Sequence, residues 1–257
     1  MTSSTGSRVH RWVRRAFVVW AIGSTLWVAN TMRTRGVPGA VLQSSQAVSV
    51  AETNATLEFT PIAPGKKSAL LFLCGGGVSA RAYAPLLRPV ADAGFPVFVI
   101  KLPYRLAPAE SHKVEAIERA REVLTAHPEI DRWVIAGHSL GAALAARLVD
   151  ADPAAAAALV LIGTTHPKER NLSSLAMAVT KVWGSNDGVA PPERMFANRS
   201  LLPAHTRWVE VRGGNHSQFG HYGHQLLDGR ATITREEQQT LTREAILDSL
   251  RAASVGP

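Results

Sequence analysis

Four apolar runs of strand length, Ala69 to Leu73, Pro96 to Ile100, Trp133 to Ala136 and Ala158 to Ile162, constrain this chain more than any other feature. Each is continuous rather than alternating. A strand with one wet face alternates polar and apolar residues, whereas a strand covered on both faces is apolar throughout. The segments between them have helical patterns. Val114, Ile117 and Val123-Leu124 lay an apolar stripe along 112–126, and Leu140 to Val149 is apolar almost all round. Thr234 and Glu237 form a capping-box pattern ahead of a helix carrying Leu241, Ile246 and Leu250. Strands alternating with helices predict an α/β fold: a mostly parallel central sheet with helices on both faces. Thr56 to Thr60 reads as an edge strand. Val179 to Trp183 and Trp208 to Val211, interrupted by Thr180-Lys181 and Glu210, read as strands nearer the sheet's edge.

The chain has 257 residues, enough for one large α/β domain or two small ones, and carries a net charge of +8. That charge is local. Arg8, Arg11, Arg14, Arg15, Arg33 and Arg35 precede the first acid, Glu52, and removing these six from 28 basic residues leaves 22 against 20 acids, or +2. A nearly neutral body gives no nucleic-acid footprint. The six arginines instead bracket the uncharged stretch Ala16 to Met32. Seventeen helical residues rise about 26 Å, close to the minimum for a hydrocarbon core. The sequence therefore predicts a basic cytoplasmic tail (1–15), a single-pass transmembrane signal-anchor (16–32), a linker (33–50) and a catalytic domain (51–257) on the far side, by the positive-inside rule. A cleaved signal peptide releasing a secreted body is the rival reading, but Ser45-Gln46-Ala47, the better small-residue cleavage pattern, lies far downstream. The single Cys74 permits no intramolecular disulfide and does not decide the redox compartment.

Chemistry concentrates at Gly137-His138-Ser139-Leu140-Gly141, between the run 133–136 and the small-residue helix. Strand, sharp turn and helix form the context in which G-x-S-x-G makes a nucleophile elbow, exposing Ser139 beside the N–H groups of the helix start. A serine nucleophile needs a general base, and the base an orienting acid, in the order nucleophile, acid, base for this architecture. Gly184-Ser185-Asn186-Asp187-Gly188 follows the strand after 158–162 and offers Asp187. Gly213-Gly214-Asn215-His216 follows the last strand and offers His216. An oxyanion hole needs two N–H donors. Leu140 supplies one, and Gly75-Gly76-Gly77 after the 69–73 strand supplies the other, with Gly76 assigned and Gly77 the near rival. No G-K-[ST] follows the triple glycine, which weighs against a phosphate loop. His221, His224 and Asp228 with His216 fit no common zinc spacing, so no metal is expected, and acyl transfer by a serine, histidine and aspartate requires no organic cofactor. Tyr83 reads as packing or pocket lining.

With these motifs in place, GGG at 75–77, GHSLG at 137–141, GSNDG at 184–188 and GGNH at 213–216, the chain resembles the alpha/beta-hydrolase superfamily over about residues 55–252. It resembles most a group of compact bacterial esterase- and dienelactone-hydrolase-like members, although dienelactone hydrolases use a cysteine where Ser139 stands and dehalogenases an aspartate. The resemblance implies an alpha/beta-hydrolase fold with a minimal cap, since only about 16 residues (163–178) separate two strands where a lid is normally inserted. It implies a small-molecule ester substrate cleaved through an acyl-enzyme. An acyltransferase, a peptidase or a non-catalytic tethered binding module are the alternatives.

Overall fold

The computed structural model describes residues 4–63 and 66–255, so residues 1–3 of the basic tail lie outside the described residues. A single eight-stranded sheet organises the body. Its strands are β1 (Val48–Glu52), β2 (Thr56–Pro61), β3 (Ser68–Leu73), β4 (Val97–Ile100), β5 (Arg132–His138), β6 (Ala158–Ile162), β7 (Ala178–Gly184) and β8 (Arg207–Val211). The spatial order is β1-β2-β4-β3-β5-β6-β7-β8. Pairings β1–β2 and β2–β4 are antiparallel, and all others are parallel. Strands β3, β4 and β6 are buried along their whole length, as their unbroken apolar runs require.

The helices are α1 (Ser4–Thr31), α2 (Ala84–Asp92), α3 (Glu110–Ala126), α4 (Leu140–Ala151), α5 (Pro192–Phe196) and α6 (Arg235–Val255). Helices α2 and α6 pack together on one face of the sheet, and α3 and α4 on the other. The start of α6 carries the expected capping box: Glu237 N–H donates to Thr234 Oγ1 at 3.1 Å, and Thr234 N–H to Glu237 Oε2 at 2.7 Å.

Register places the site. Leu73 pairs with Gly137, His138 with Ile162, Ile162 with Val182 and Gly184 with Val211. The parallel strands therefore end level, and the loops after β3, β4, β5, β7 and β8 emerge along one edge. Ligands of open α/β sheets bind at that edge.

Three expectations change. Thr56–Pro61 is not an edge, because β1 covers it: Val48 and Phe59 are both fully buried. Residues 33–50 are not a bare linker either, since they contain the first three residues of β1 and contacts with the body described below. The third correction concerns the membrane. Residues 16–32 lie within α1, yet among the described residues no helix is long and apolar enough to cross a membrane. The single-pass anchor, with its cytoplasmic tail and extracytoplasmic body, is overturned. The uncharged stretch has only seventeen residues and is diluted by Gly23, Ser24, Thr25 and Asn30, while arginines continue the same helix at its N-terminal side.

Candidate active site

Ser139 sits between β5 and α4 with φ 54° and ψ −117°, a conformation that a non-glycine residue holds only when its surroundings force it. Packing supplies the force. A Cβ on Gly137 would lie 2.4 Å from Gly141 carbonyl atoms, and one on Gly141 would lie 2.1 Å from the Leu73 carbonyl oxygen. Both neighbours are backbone, so α4 can close onto the ends of β3 and β5 only because the two flanking residues lack side chains. Ser139 N–H donates to the Ile162 carbonyl at 2.9 Å, fixing the turn, while Ser139 and Leu140 remain partly exposed.

His216 and Asp187 meet. Their Nδ1 and Oδ2 atoms are 2.8 Å apart, and both side chains are 1% exposed. With Nδ1–H donated to the carboxylate, Nε2 is left as the acceptor nitrogen. Asp187 is itself held, because its Oδ1 accepts the N–H groups of Val189 at 2.9 Å and Ala190 at 2.6 Å. The two loops are stitched by Asn186 N–H to the Gly214 carbonyl at 2.8 Å and Gly213 N–H to Ser185 Oγ at 2.7 Å.

In the glycine loop, neighbours have claimed two of three N–H groups. Gly75 N–H donates to Tyr83 Oη at 3.0 Å, and Gly77 N–H, at φ 78°, donates to the Arg105 carbonyl at 2.7 Å. Gly76 is partly exposed, and no partner accepts its N–H among the described residues. A Cβ there would stand 3.4 Å from Leu140 Cδ2, so Gly76 faces the elbow.

Two side chains missed as site residues from sequence support this geometry. Asp228 spans both loops: Oδ1 accepts His216 N–H at 3.1 Å and Gly188 N–H at 3.3 Å, and Oδ2 accepts Ser217 N–H at 2.8 Å and Ser217 Oγ–H at 2.6 Å. Tyr83 is fully buried, and its Oη lies 2.8 Å from His138 Nδ1 in a hydrogen bond that ties the glycine loop to the residue before Ser139. Burial, then the neighbouring His216, holds the His138 pKa well below the usual imidazole value, so this ring stays neutral beside His216. No sequence pattern announces either role, because three of the four donors to Asp228 are backbone N–H groups and Tyr83 reaches a residue 55 positions away. Among the described residues no group of three or more His, Cys, Asp or Glu side chains could hold a metal. Burial pushes the Cys74 thiol pKa up, away from reactivity.

Comparison with known proteins agrees with this frame. Residues 69–240 match the alpha/beta hydrolase family, and the chain belongs to it. No curated protein sequence matches it significantly. Solved structures share the fold at low identity. A predicted CIB-like hydrolase from Thermoplasma acidophilum is 15% identical with a TM-score of 0.60, over 79% of this chain and 99% of its own. A ferulic acid esterase from Streptomyces cinnamoneus is 18% identical with a TM-score of 0.62, over 77% of this chain and 70% of its own. The carboxylesterase CesB from Bacillus subtilis is 13% identical with a TM-score of 0.56, over 83% of this chain and 94% of its own.

Proposed function

We propose that this chain is a serine hydrolase that cleaves carboxylic esters through an acyl-enzyme, with Ser139 as nucleophile, His216 as general base and acid, and Asp187 as its orienting partner. The observation that carries the reading is the buried Asp187–His216 pair, 2.8 Å apart, at the sheet edge where the strained Ser139 turn projects. Asp187 fixes the imidazole tautomer that leaves Nε2 free to take the Ser139 proton, and stabilises the imidazolium that results. Ser139 Oγ then bonds to the ester carbonyl carbon. The N–H groups of Leu140 and Gly76 receive the developing oxyanion. Collapse expels the alcohol, which takes its proton from His216, and water repeats the sequence to release the acid. Gly76 is preferred to Gly77 as second donor because the Gly77 N–H is already bonded to the Arg105 carbonyl.

The test is turnover of a chromogenic ester series by the wild-type chain and by Ser139→Ala. Loss of a triad nucleophile lowers kcat by about 10⁴–10⁶. Unchanged turnover in Ser139→Ala would remove Ser139 from the mechanism, and a folded wild type that turns over no ester would favour an acyltransferase, a peptidase or a binding module.

A further inference from the structure

The segment that follows α1 crosses the mouth of the site. On the histidine side, Gly223 N–H donates to the Thr31 carbonyl at 2.8 Å, Arg35 N–H donates to the His221 carbonyl at 2.9 Å, and Thr34 bridges Tyr222 in antiparallel fashion. On the glycine side, Arg105 Nη2 donates to the Met32 carbonyl at 3.3 Å. A Cβ on Gly77 would lie 3.2 Å from Met32 Cγ and Sδ, so Met32 rests on the residue next to Gly76. Residues 31–35 thus join the loop after β8 to the loops after β3 and β4, which lie on either side of β5 and its Ser139 turn. The β6–β7 connection, where a lid would be inserted, holds no helix.

At the glycine-side end of this strap, between α1 and the loop after β4, lies an open cavity of about 480 Å³ lined by Met32, Gly77, Tyr104, Arg105, Leu106 and the Ser24-Thr25 step of α1. That volume is within the range of small-molecule sites. Its lining is mostly apolar. The wall formed by the loop after β4 is held in an unusual shape, with Tyr104, Arg105 and Ala107 at φ 52°, 62° and 44°. Non-glycine residues keep such backbone only when packing enforces it, and strain of this kind concentrates where ligands are clamped. Its result is that Tyr104 and Leu106 stand 77% and 55% exposed, although both are large and carbon-rich.

Resting on the serine-hydrolase reading, we propose that the strap 31–35 is the cap of this enzyme and that the cavity bordered by its Met32 binds the apolar acyl chain of the substrate ester. The reaction chemistry selects acyl chain over alcohol. The leaving oxygen must receive a proton from His216, so the alcohol points toward the loop after β8. With the carbonyl oxygen on Gly76 and Leu140, the acyl substituent is directed the opposite way along the sheet edge, toward β3 and β4. Gly77 and Tyr104–Leu106 lie there, one residue beyond the proposed oxyanion donor. The ester so defined has an apolar acyl group of medium length.

The experiment fills the cavity from two of its lining residues with Met32→Trp and Leu106→Trp and measures kcat/KM for 4-nitrophenyl acetate, butyrate and octanoate. Each methylene buried favours binding about fourfold. Excluding even two should lower the octanoate-to-acetate ratio by at least about tenfold in both variants. Ile62→Ser, an exposed residue remote from the cavity, should leave the ratio at its wild-type value. Binding of a fluorescent fatty-acid analogue to Ser139→Ala, weakened tenfold by either tryptophan, reads the cavity without turnover. A ratio and an analogue affinity within twofold of wild type in both filled variants would overturn the acyl pocket while leaving the hydrolase reading intact. No turnover of any ester, with the analogue still displaced by the tryptophans, would instead overturn the hydrolase reading alone.

Discussion

Gly141→Ala isolates the packing that makes the elbow possible. The added Cβ would sit 2.1 Å from the Leu73 carbonyl oxygen and 2.4 Å from that of Cys74. Carbon and oxygen need well over 3 Å, so α4 must retreat from the end of β3 by about 1 Å. Neither side can yield by turning a side chain, and β3 is buried along its whole length between β4 and β5. Overpacking of this kind costs about 1–3 kcal/mol, and two backbone contacts place this case at the upper end, about 3 kcal/mol. Alanine recovers about 1 kcal/mol over glycine within a helix. The steric cost wins, and the net loss is about 2 kcal/mol. For a chain of this size that lowers Tm by about 4–8 °C. Because the same retreat moves the Leu140 N–H and Ser139 relative to Gly76, ester hydrolysis should fall by about a hundredfold. Calorimetry and kcat/KM on the same preparation read both effects. Gly39→Ala is the control: nothing lies within 4 Å of its added Cβ, and the change should stay within about 0.5 kcal/mol. Wild-type Tm and wild-type turnover in Gly141→Ala would refute the account of the turn.

Two further outcomes follow from buried polar groups. Asp228→Asn keeps one acceptor oxygen and places an NH₂ group against two of the four donors on Gly188, His216 and Ser217; the loss should be roughly 3 kcal/mol in urea unfolding, with a larger fall in kcat than in substrate affinity. Equal stability and activity would show that the clamp on both loops is dispensable. Lys181 is 1% exposed, and burial lowers its pKa to about 7. Between pH 7 and the ordinary lysine value of about 10.4 the unfolded chain binds the extra proton, so stability rises with pH through that window. Lys181→Met should flatten this rise and raise stability most at neutral pH and below, as read by denaturant titration at several pH values. An unchanged slope would contradict a buried, readily deprotonated lysine.

The parts of the fold legible in sequence are those dictated by burial on both faces. Runs 69–73, 96–100, 133–136 and 158–162 occupy adjacent strands at the centre of the sheet, where only apolar side chains fit. Strand β1 was hidden because Val48 and Val50 alternate with polar residues inside a segment whose Gly, Ser and Gln content resembles a linker. Helix α2 was hidden by Pro85 and Pro89, which mask its stripe of Leu86, Leu87 and Val90. Ser139, Asp187 and His216 stood out because each follows a strand end in a glycine-bearing turn. The strap was illegible because its hydrogen bonds on the histidine side run between backbone groups of Thr31, Arg35, His221 and Gly223, which any side chains would permit. The stretch 16–32 combines an uncharged run, bracketing arginines and a rise close to the minimum for a hydrocarbon core, all marks of a membrane span, but it is too short and too diluted by polar residues to qualify.

The most direct measurement of the central claim is covalent labelling of the folded full-length chain by a fluorophosphonate, located by peptide mass spectrometry. The account predicts one label per chain, on Ser139, formed at least about a thousandfold more slowly in His216→Ala. Labelling of another residue, or an equal rate in His216→Ala, would contradict it.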